Sequence, residues 1–346
     1  MYRPRVFSIL LVLACVLSGS RDASAGDAWP KTWQRDGVAA TIRRHLDAVD
    51  GERMKKNLFY LAKDPLPFRK LNLTLPGHEK STLHEANDYL AGKLESWGYQ
   101  VEREPVKVQA FRCDKTKPKH AWYSRPMPED PWYTGYNLYA ERKGSSRPEE
   151  IIVVLAHKDS QSWIDSPGAN DNAIGTVGVL ELARVVAKYE SQRTIRFLFC
   201  NEEHMPWTSV TAAQKAKERG DKIIALFNLD GIGVKSPEER ASGKQTCVTA
   251  FTEPPGDRLA ELVGAANQRF ELGMEHRVVK QKRPGNDDGS FVKVGYTSAI
   301  LVIGSWPYAD PNYHLETDVP ELCDIANAAK AAQATLAAIL TLDQTD

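Results

Sequence analysis

The run Ile151-Ile152-Val153-Val154-Leu155-Ala156-His157-Lys158-Asp159 decides how the chain folds. Its unbroken apolar half reads as a strand buried on both faces, the pattern of a sheet centre, and the polar triplet marks the strand's C-terminal end. Downstream the pattern repeats: a helical stretch over 172–188, a buried strand over 194–200, a helix over 208–219 and a strand over 222–230. Strands at 245–250 and 299–303 alternate with helices at 257–270 and 321–342. The alternation predicts an α/β protein, a sheet flanked by helices. Upstream, helical spacing of apolar residues across 37–61 and 79–97 predicts N-terminal helices over about 35–97, followed by strands at 101–111 and 136–141. The Pro- and aromatic-rich stretch of about 112–135 is too long for a routine connection. It reads first as a surface loop held by aromatic packing, and second as a lid bordering a site.

The 346 residues are 42% hydrophobic and 26% charged, enough for one large core and unlike a disordered chain. Lys plus Arg equal Asp plus Glu at 45 each, so there is no general electrostatic case for nucleic acid or an anionic membrane as partner. Residues 1–25 read as a secretory signal peptide. Arg3 and Arg5 precede the apolar run Val6–Leu17, and Ala23-Ser24-Ala25 offers a small-x-small cleavage pattern. The run is short for a membrane anchor; a lipoprotein attached through Cys15 is the alternative. A secreted or periplasmic protein is therefore expected, with residues 26–346 as a single domain. No other stretch reads as transmembrane, so no stable membrane insertion is expected after cleavage. Cys113, Cys200, Cys247 and Cys323 remain; none has C-x-x-C spacing, which disfavours a cysteine zinc cage, while an oxidising compartment permits disulfides. Disulfide pairing and oligomeric state stay open.

Polar residues gather where apolar strands end: His157 and Asp159 after 151–156, Glu202 and Glu203 after 194–200, and Asp230 after the next strand. Open α/β sheets place their sites there. Asp171, in the turn Gly168-Ala169-Asn170-Asp171-Asn172, and His314, in Tyr313-His314-Leu315-Glu316-Thr317-Asp318, join them. Singly, each has a plain structural role: a surface loop for His157 and Asp159, an N-cap for Asp171, an acidic helix start for Glu202-Glu203, a turn for Asp230-Gly231, a hydrogen-bonded core histidine for His314. Jointly they offer imidazole nitrogen and carboxylate oxygen, which suits zinc or a similar first-row metal. Five ligands with one shared suit a metal pair.

In this order, the segments AHKDS, GANDNAIG, CNEEH, NLDGIG and YHLETD, spread over 156–318, resemble the secreted co-catalytic zinc aminopeptidases. That superfamily includes bacterial leucyl aminopeptidase, aminopeptidase Y, glutamate carboxypeptidase and animal glutaminyl cyclase. The resemblance implies a three-layer α/β/α fold of zinc-exopeptidase type with a central mixed, mostly parallel sheet. It implies two Zn2+ per chain: His157 and Asp230 on one, Glu203 and His314 on the other, Asp171 bridging. Glu202 is then the general base, and Asp159 orients His157 through its far nitrogen. Peptide is the implied substrate, and Trp207, Tyr313, Asp287 and Asp288 are the substrate-binding candidates. Trp163, Trp306 and Tyr308 either line an apolar pocket with Trp207 or pack in the core. Three departures stand out: Lys158 between His157 and Asp159, His204-Met205-Pro206-Trp207-Thr208 after the paired glutamates, and Asn286-Asp287-Asp288 ahead of Phe291.

The expectation is a secreted metallo-aminopeptidase that removes N-terminal residues from peptides. Its rivals are a single-zinc glutaminyl-peptide cyclase, to which the double aspartate points, a carboxypeptidase of the same superfamily, and a non-catalytic binding protein on the same fold.

Overall fold

The computed structural model describes residues 28–345, so the signal-peptide and Cys15 readings lie outside the described residues. Four helices come first, α1 (Ala28–Gln34), α2 (Val38–Asp47), α3 (Gly51–Ala62) and α4 (Thr82–Ser96). The single helix expected across 37–61 is two, because Asp50 interrupts it. Its carboxylate accepts from the Glu52 and Arg53 N–H groups at 3.0 and 3.1 Å, an N-cap that starts α3 afresh.

Next come β1 (Val101–Ala110), β2 (Arg112–Cys113), β3 (Tyr123–Ser124), β4 (Trp132–Arg142) and β5 (Arg147–His157). The α/β half follows as α5 (Ile174–Val186), β6 (Arg193–Cys200), β7 (His204–Met205), α6 (Thr208–Arg219), β8 (Lys222–Leu229) and α7 (Pro237–Ser242). The chain closes with β9 (Gln245–Phe251), α8 (Pro254–Arg269), β10 (Met274–Lys280), α9 (Asn286–Lys293), β11 (Ala299–Ile303) and α10 (Ile325–Gln344). Nine strands form one sheet in the order β10-β9-β11-β8-β5-β6-β4-β1-β7, and β2 pairs with β3 apart from it.

β5 lies near the middle, as its apolar run requires, parallel to both β6 and β8, and β11 is parallel to β8. The C-terminal ends of these four strands therefore share one sheet edge. The sheet is mixed, but less parallel than expected. Around the central block, β4 joins β6, β1 joins β4 and β11 joins β9 antiparallel.

Helices cover both faces unequally. The larger core packs α2, α3, α5, α8 and α10 against one face, around side chains such as Phe197, Phe199 and Phe227. The smaller one places α6 and α9 on the other face over Val153, Leu155 and Leu198. Burial of each such side chain contributes about 1.5–3 kcal/mol, so the sheet centre is the stable frame on which the loops at its C-terminal edge are mounted. α10 is long and apolar enough to span a membrane, contrary to the expectation for the mature chain. It is instead a core helix, most of it buried against α2, α5 and α8. The four cysteines among the described residues are free thiols, with Cys113 exposed and the others buried.

Candidate active site

His157 is the last residue of β5, and Asp230 follows β8 directly, so adjacent parallel strands deliver an imidazole and a carboxylate side by side. Glu202 and Glu203 follow β6 in the same way, and His314 lies in the loop after β11. Asp171 arrives from the turn that opens α5. That turn is held from several directions. The Asp318 carboxylate accepts from the Asn170 and Asp171 N–H groups at 2.9 and 3.1 Å, and Asn172 donates to Leu229 O while accepting from Gly231 N–H.

Asp171 sits at the centre. Its Oδ1 is 3.2 Å from His157 Nε2, and its Oδ2 is 3.2 Å from His314 Nε2. Asp230 Oδ1 lies 3.7 Å from His157 Nε2, and Glu203 Oε1 lies 3.4 Å from His314 Nε2. Two groups result, His157-Asp171-Asp230 and Asp171-Glu203-His314, each with its ligand atoms within 4.8 Å of one another and with Asp171 in common. All five side chains are buried.

These donors fit a divalent cation. Burial opposes an imidazolium at His157, but Asp159, Asp171 and Asp230 outweigh it and raise the ring well above its usual range. Burial likewise opposes a charged His314, yet Glu203 and Asp171 push it up to about 10. Carboxylates that hold protons on two buried imidazoles favour a metal ion that displaces those protons. Asp230 Oδ1 is also buried with no hydrogen-bond partner, a demand that a metal meets.

Glu202 lines the cavity above this set, and its Oε2 has no partner. Burial, then the nearby Asp287 charge, raises its carboxyl well above the usual range, which makes its ionised form a stronger base than a free glutamate. A proton shuttle needs that property. Asp159 does not itself line the cavity; it accepts from His157 Nδ1 at 3.3 Å and from the Glu202 and Glu203 N–H groups at 2.9 and 2.8 Å.

The cavity has a volume of about 430 Å³. Phe111, Tyr123 and Trp163 pack on one another along its wall, which Trp207, Trp306, Tyr308 and Tyr313 also line. Tyr313 stacks on His314 with ring centroids 3.7 Å apart. The 112–135 stretch borders the site instead of only packing on the surface. Tyr123 meets His314 edge-on at 5.5 Å, and His314 Nδ1–H donates to His120 O at 3.0 Å. The end of that stretch, from Trp132, is already β4.

One expectation is corrected. Asp287 and Asp288 are fully buried beneath the wall and do not line the cavity; Asn286 does. Asp287 accepts from Cys200 Sγ–H at 3.1 Å and Asp288 from Asn228 Nδ2 at 3.2 Å. Lys158, the unusual residue between His157 and Asp159, is also enclosed. Its ammonium donates to Tyr136 O at 2.6 Å and Asn201 Oδ1 at 2.7 Å, and burial pulls it down to about 8.

Three contributors were missed in the sequence. Gln161 Nε2 donates to Asp171 Oδ2 at 2.9 Å and Glu203 Oε1 at 3.0 Å, linking both groups. Arg69, fully buried, donates to the carbonyls of Leu61, Lys158, Pro167 and Gly168. His204 bonds Asp159. A hydrophobic pattern carries no sign of such contacts, since Arg69 and Gln161 look like ordinary loop residues.

The sequence model of peptidase family M28 matches residues 137–339, which contain every one of the five clustered residues. The chain belongs to peptidase family M28. Among curated relatives of this M28 chain, a probable zinc metalloprotease of Pyrenophora tritici-repentis is 33% identical over 147 residues, 40% of this chain and 30% of that protein. A probable aminopeptidase of Saccharomyces cerevisiae is 24% identical over 223 residues, 60% of this chain and 57% of its own length. The M28 chain thus matches under a third of the fungal relative's length and somewhat over half of the yeast protein's. Its fold is that of an aminopeptidase from Aneurinibacillus sp. strain AM-1, with TM-score 0.66 at 16% identity over 86% of this chain and 95% of that one. A Bacteroides thetaiotaomicron glutaminyl cyclase bound to N-acetylhistamine superposes with TM-score 0.63 at 16% identity, over 86% of this chain and 98% of its own.

Proposed function

We propose that this M28 chain is a secreted or periplasmic aminopeptidase that uses two zinc ions to remove N-terminal residues from peptides. The observation that carries the reading is the split of Asp171, one carboxylate oxygen 3.2 Å from each of two histidines that belong to separate ligand groups. His157, Asp171 and Asp230 would hold one ion; Asp171, Glu203 and His314 the other. When bound, the zinc pair supplies Lewis acidity, making water easier to deprotonate and a carbonyl easier to attack. Glu202 accepts a proton from the attacking water as the new C–O bond forms, then returns it to the amine as the C–N bond breaks. Tyr308, whose buried hydroxyl has no protein partner, lines the cavity as a free donor for a substrate oxygen.

The amino end is favoured by charge. Asp171, Glu202, Glu203 and Asp230 line the cavity, and among the described residues no lysine or arginine does. Such a surface suits an ammonium and repels a terminal carboxylate. Acetylating the N-terminus of a good peptide substrate should abolish cleavage, whereas amidating its C-terminus should leave the rate unchanged. Dependence on a free carboxylate with tolerance of acetylation would assign a carboxypeptidase. A second reading, the single-zinc cyclase, draws on Asp287, whose buried charge acts on Glu202. A glutaminyl peptide releasing ammonia, with the peptide bond intact, would select it.

A further inference from the structure

His204 follows the paired glutamates, in one of the stretches where the chain departs from the proteins it resembles. With Met205 it forms β7, antiparallel to Gln109 and Ala110 at the end of β1. Its side chain is fully buried. Each ring nitrogen has one partner, and together the partners fix the tautomer. Nε2 lies 3.2 Å from the Leu71 N–H, which can only donate, so Nε2 is the bare, accepting nitrogen. The proton is on Nδ1, which donates to Asp159 Oδ2 at 2.8 Å.

Asp159 therefore receives two donors on each oxygen. Oδ1 takes His157 Nδ1–H and the Glu202 N–H; Oδ2 takes His204 Nδ1–H and the Glu203 N–H. One carboxylate thus sets the ring of a metal ligand and the backbone under both the general base and a second ligand. Without His204, Oδ2 keeps a single donor and the carboxylate is free to swing, releasing its grip on His157. A neutral imidazole suits the place for a further reason. It supplies a donor without a positive charge, which a lysine or arginine would set against the metal ion.

We propose that His204 is a positioning residue that, through Asp159, aims His157 at its metal ion. The proposal rests on the two-zinc reading. It also separates His204 from a residue that merely fills space, because only the Nδ1 donor matters. Asparagine places its amide nitrogen where Nδ1 lies; glutamine places its amide where Nε2 lies, facing Leu71 and away from Asp159.

The test titrates zinc-free wild type, H204N and H204Q with zinc against a chromophoric chelator, with circular dichroism and melting of the zinc-free proteins as folding controls. Loss of an outer partner of a metal ligand typically costs about 10- to 100-fold in affinity, so H204Q should lose that much for the ion at His157 and less for the ion at Glu203, whose backbone Asp159 also holds. H204N should hold both within roughly threefold of wild type. Equal weakening in the two variants, or an H204Q that binds both ions as wild type does, overturns the proposal. Should H204Q fail to fold, H204N decides alone, and a loss beyond about tenfold overturns it. A wild type that binds no zinc refutes the metallopeptidase reading, whatever the variants do.

Discussion

Replacing Arg69 by Met removes a guanidinium that solvent does not reach and keeps much of its aliphatic stem. The carbonyls of Leu61, Lys158, Pro167 and Gly168 lose donors at 2.7–2.8 Å. Hydrogen bonds from a charged donor contribute ~1.5–3 kcal/mol each, so the gross loss is roughly 6–12 kcal/mol. Against this stands the burial of the charge, which pulls Arg69 down to about 10 despite the nearby Asp159, Asp318 and Asp171. Desolvation of that kind costs several kcal/mol, and the variant no longer bears it, leaving a net loss of about 3–5 kcal/mol. With an unfolding entropy of ~2.1 cal/mol/K per residue, a chain of this length should melt roughly 4–7 °C lower. Two of the freed carbonyls, Lys158 and Gly168, flank His157 and the Asp171 turn, so zinc should also bind more weakly at both groups. R69K keeps the charge but cannot span the same fork, and it should fall between. Differential scanning fluorimetry of the zinc-free proteins, followed by zinc titration, checks both effects. A zinc-free R69M that melts with wild type refutes the stability argument; a lowered melt with unchanged zinc binding refutes the clamp on the site.

Glu202→Gln should keep both ions while kcat falls by about 10²- to 10⁴-fold, whereas Glu203→Gln should lose metal first; assays paired with metal analysis distinguish these, and exchanged phenotypes reverse the assignment. Asp171→Ala should deplete both ions together, because it is the one residue common to both groups; selective loss of a single ion, seen by metal analysis after dialysis, contradicts the bridge. His276 presses on α8 at Gly264 and shares a hydrogen bond with Thr249 Oγ1, and burial pulls it from 6.5 down to about 4. The unfolded chain therefore takes up this proton first: the contribution is whole above about pH 6.5 and declines as pH falls toward 4, by at most ~3 kcal/mol. Urea unfolding of zinc-free wild type at pH 7 and pH 4 should show a larger acid loss than in His276→Gln; equal losses would rule the histidine out as the cause.

Asp171 and His314, which lie in a turn and a loop, were legible only from their motifs; His157, Glu203 and Asp230 were legible because each ends or closely follows a strand whose apolar run is plain, and parallel strands bring their C-terminal ends to one edge. β5, β8 and β11 were visible for the same reason. β10 was not: it is an edge strand with mostly exposed or half-exposed side chains, so its sequence shows no continuous apolar run. Asp50 was hidden by helical spacing on both sides of it, since the periodicity of α2 carries into α3. Arg69 and His204 act on main-chain groups and on a carboxylate far away in sequence, contacts that only the closed fold creates. Asp287 and Asp288 show the reverse failure. Their charge pointed toward a site, but α9 turns them inward, against Cys200 and Asn228.

The bond from His314 to the His120 carbonyl changes what the strap over 112–131 means for anyone who alters it. Surface loops are ordinarily the parts of an enzyme that tolerate exchange, and grafting them is a common route to new substrate preferences. Here a main-chain oxygen on such a loop orients the His314 imidazole, one of the clustered donors, and no choice of side chain at residue 120 can replace it. A library that varies the strap's length will therefore sample metal retention together with selectivity. Variants will sort first by whether the carbonyl still reaches the imidazole, and only then by what they cleave. Holding residues 119–121 constant, with the Lys119–Glu316 ion pair that steadies them, is the way to keep the two properties apart.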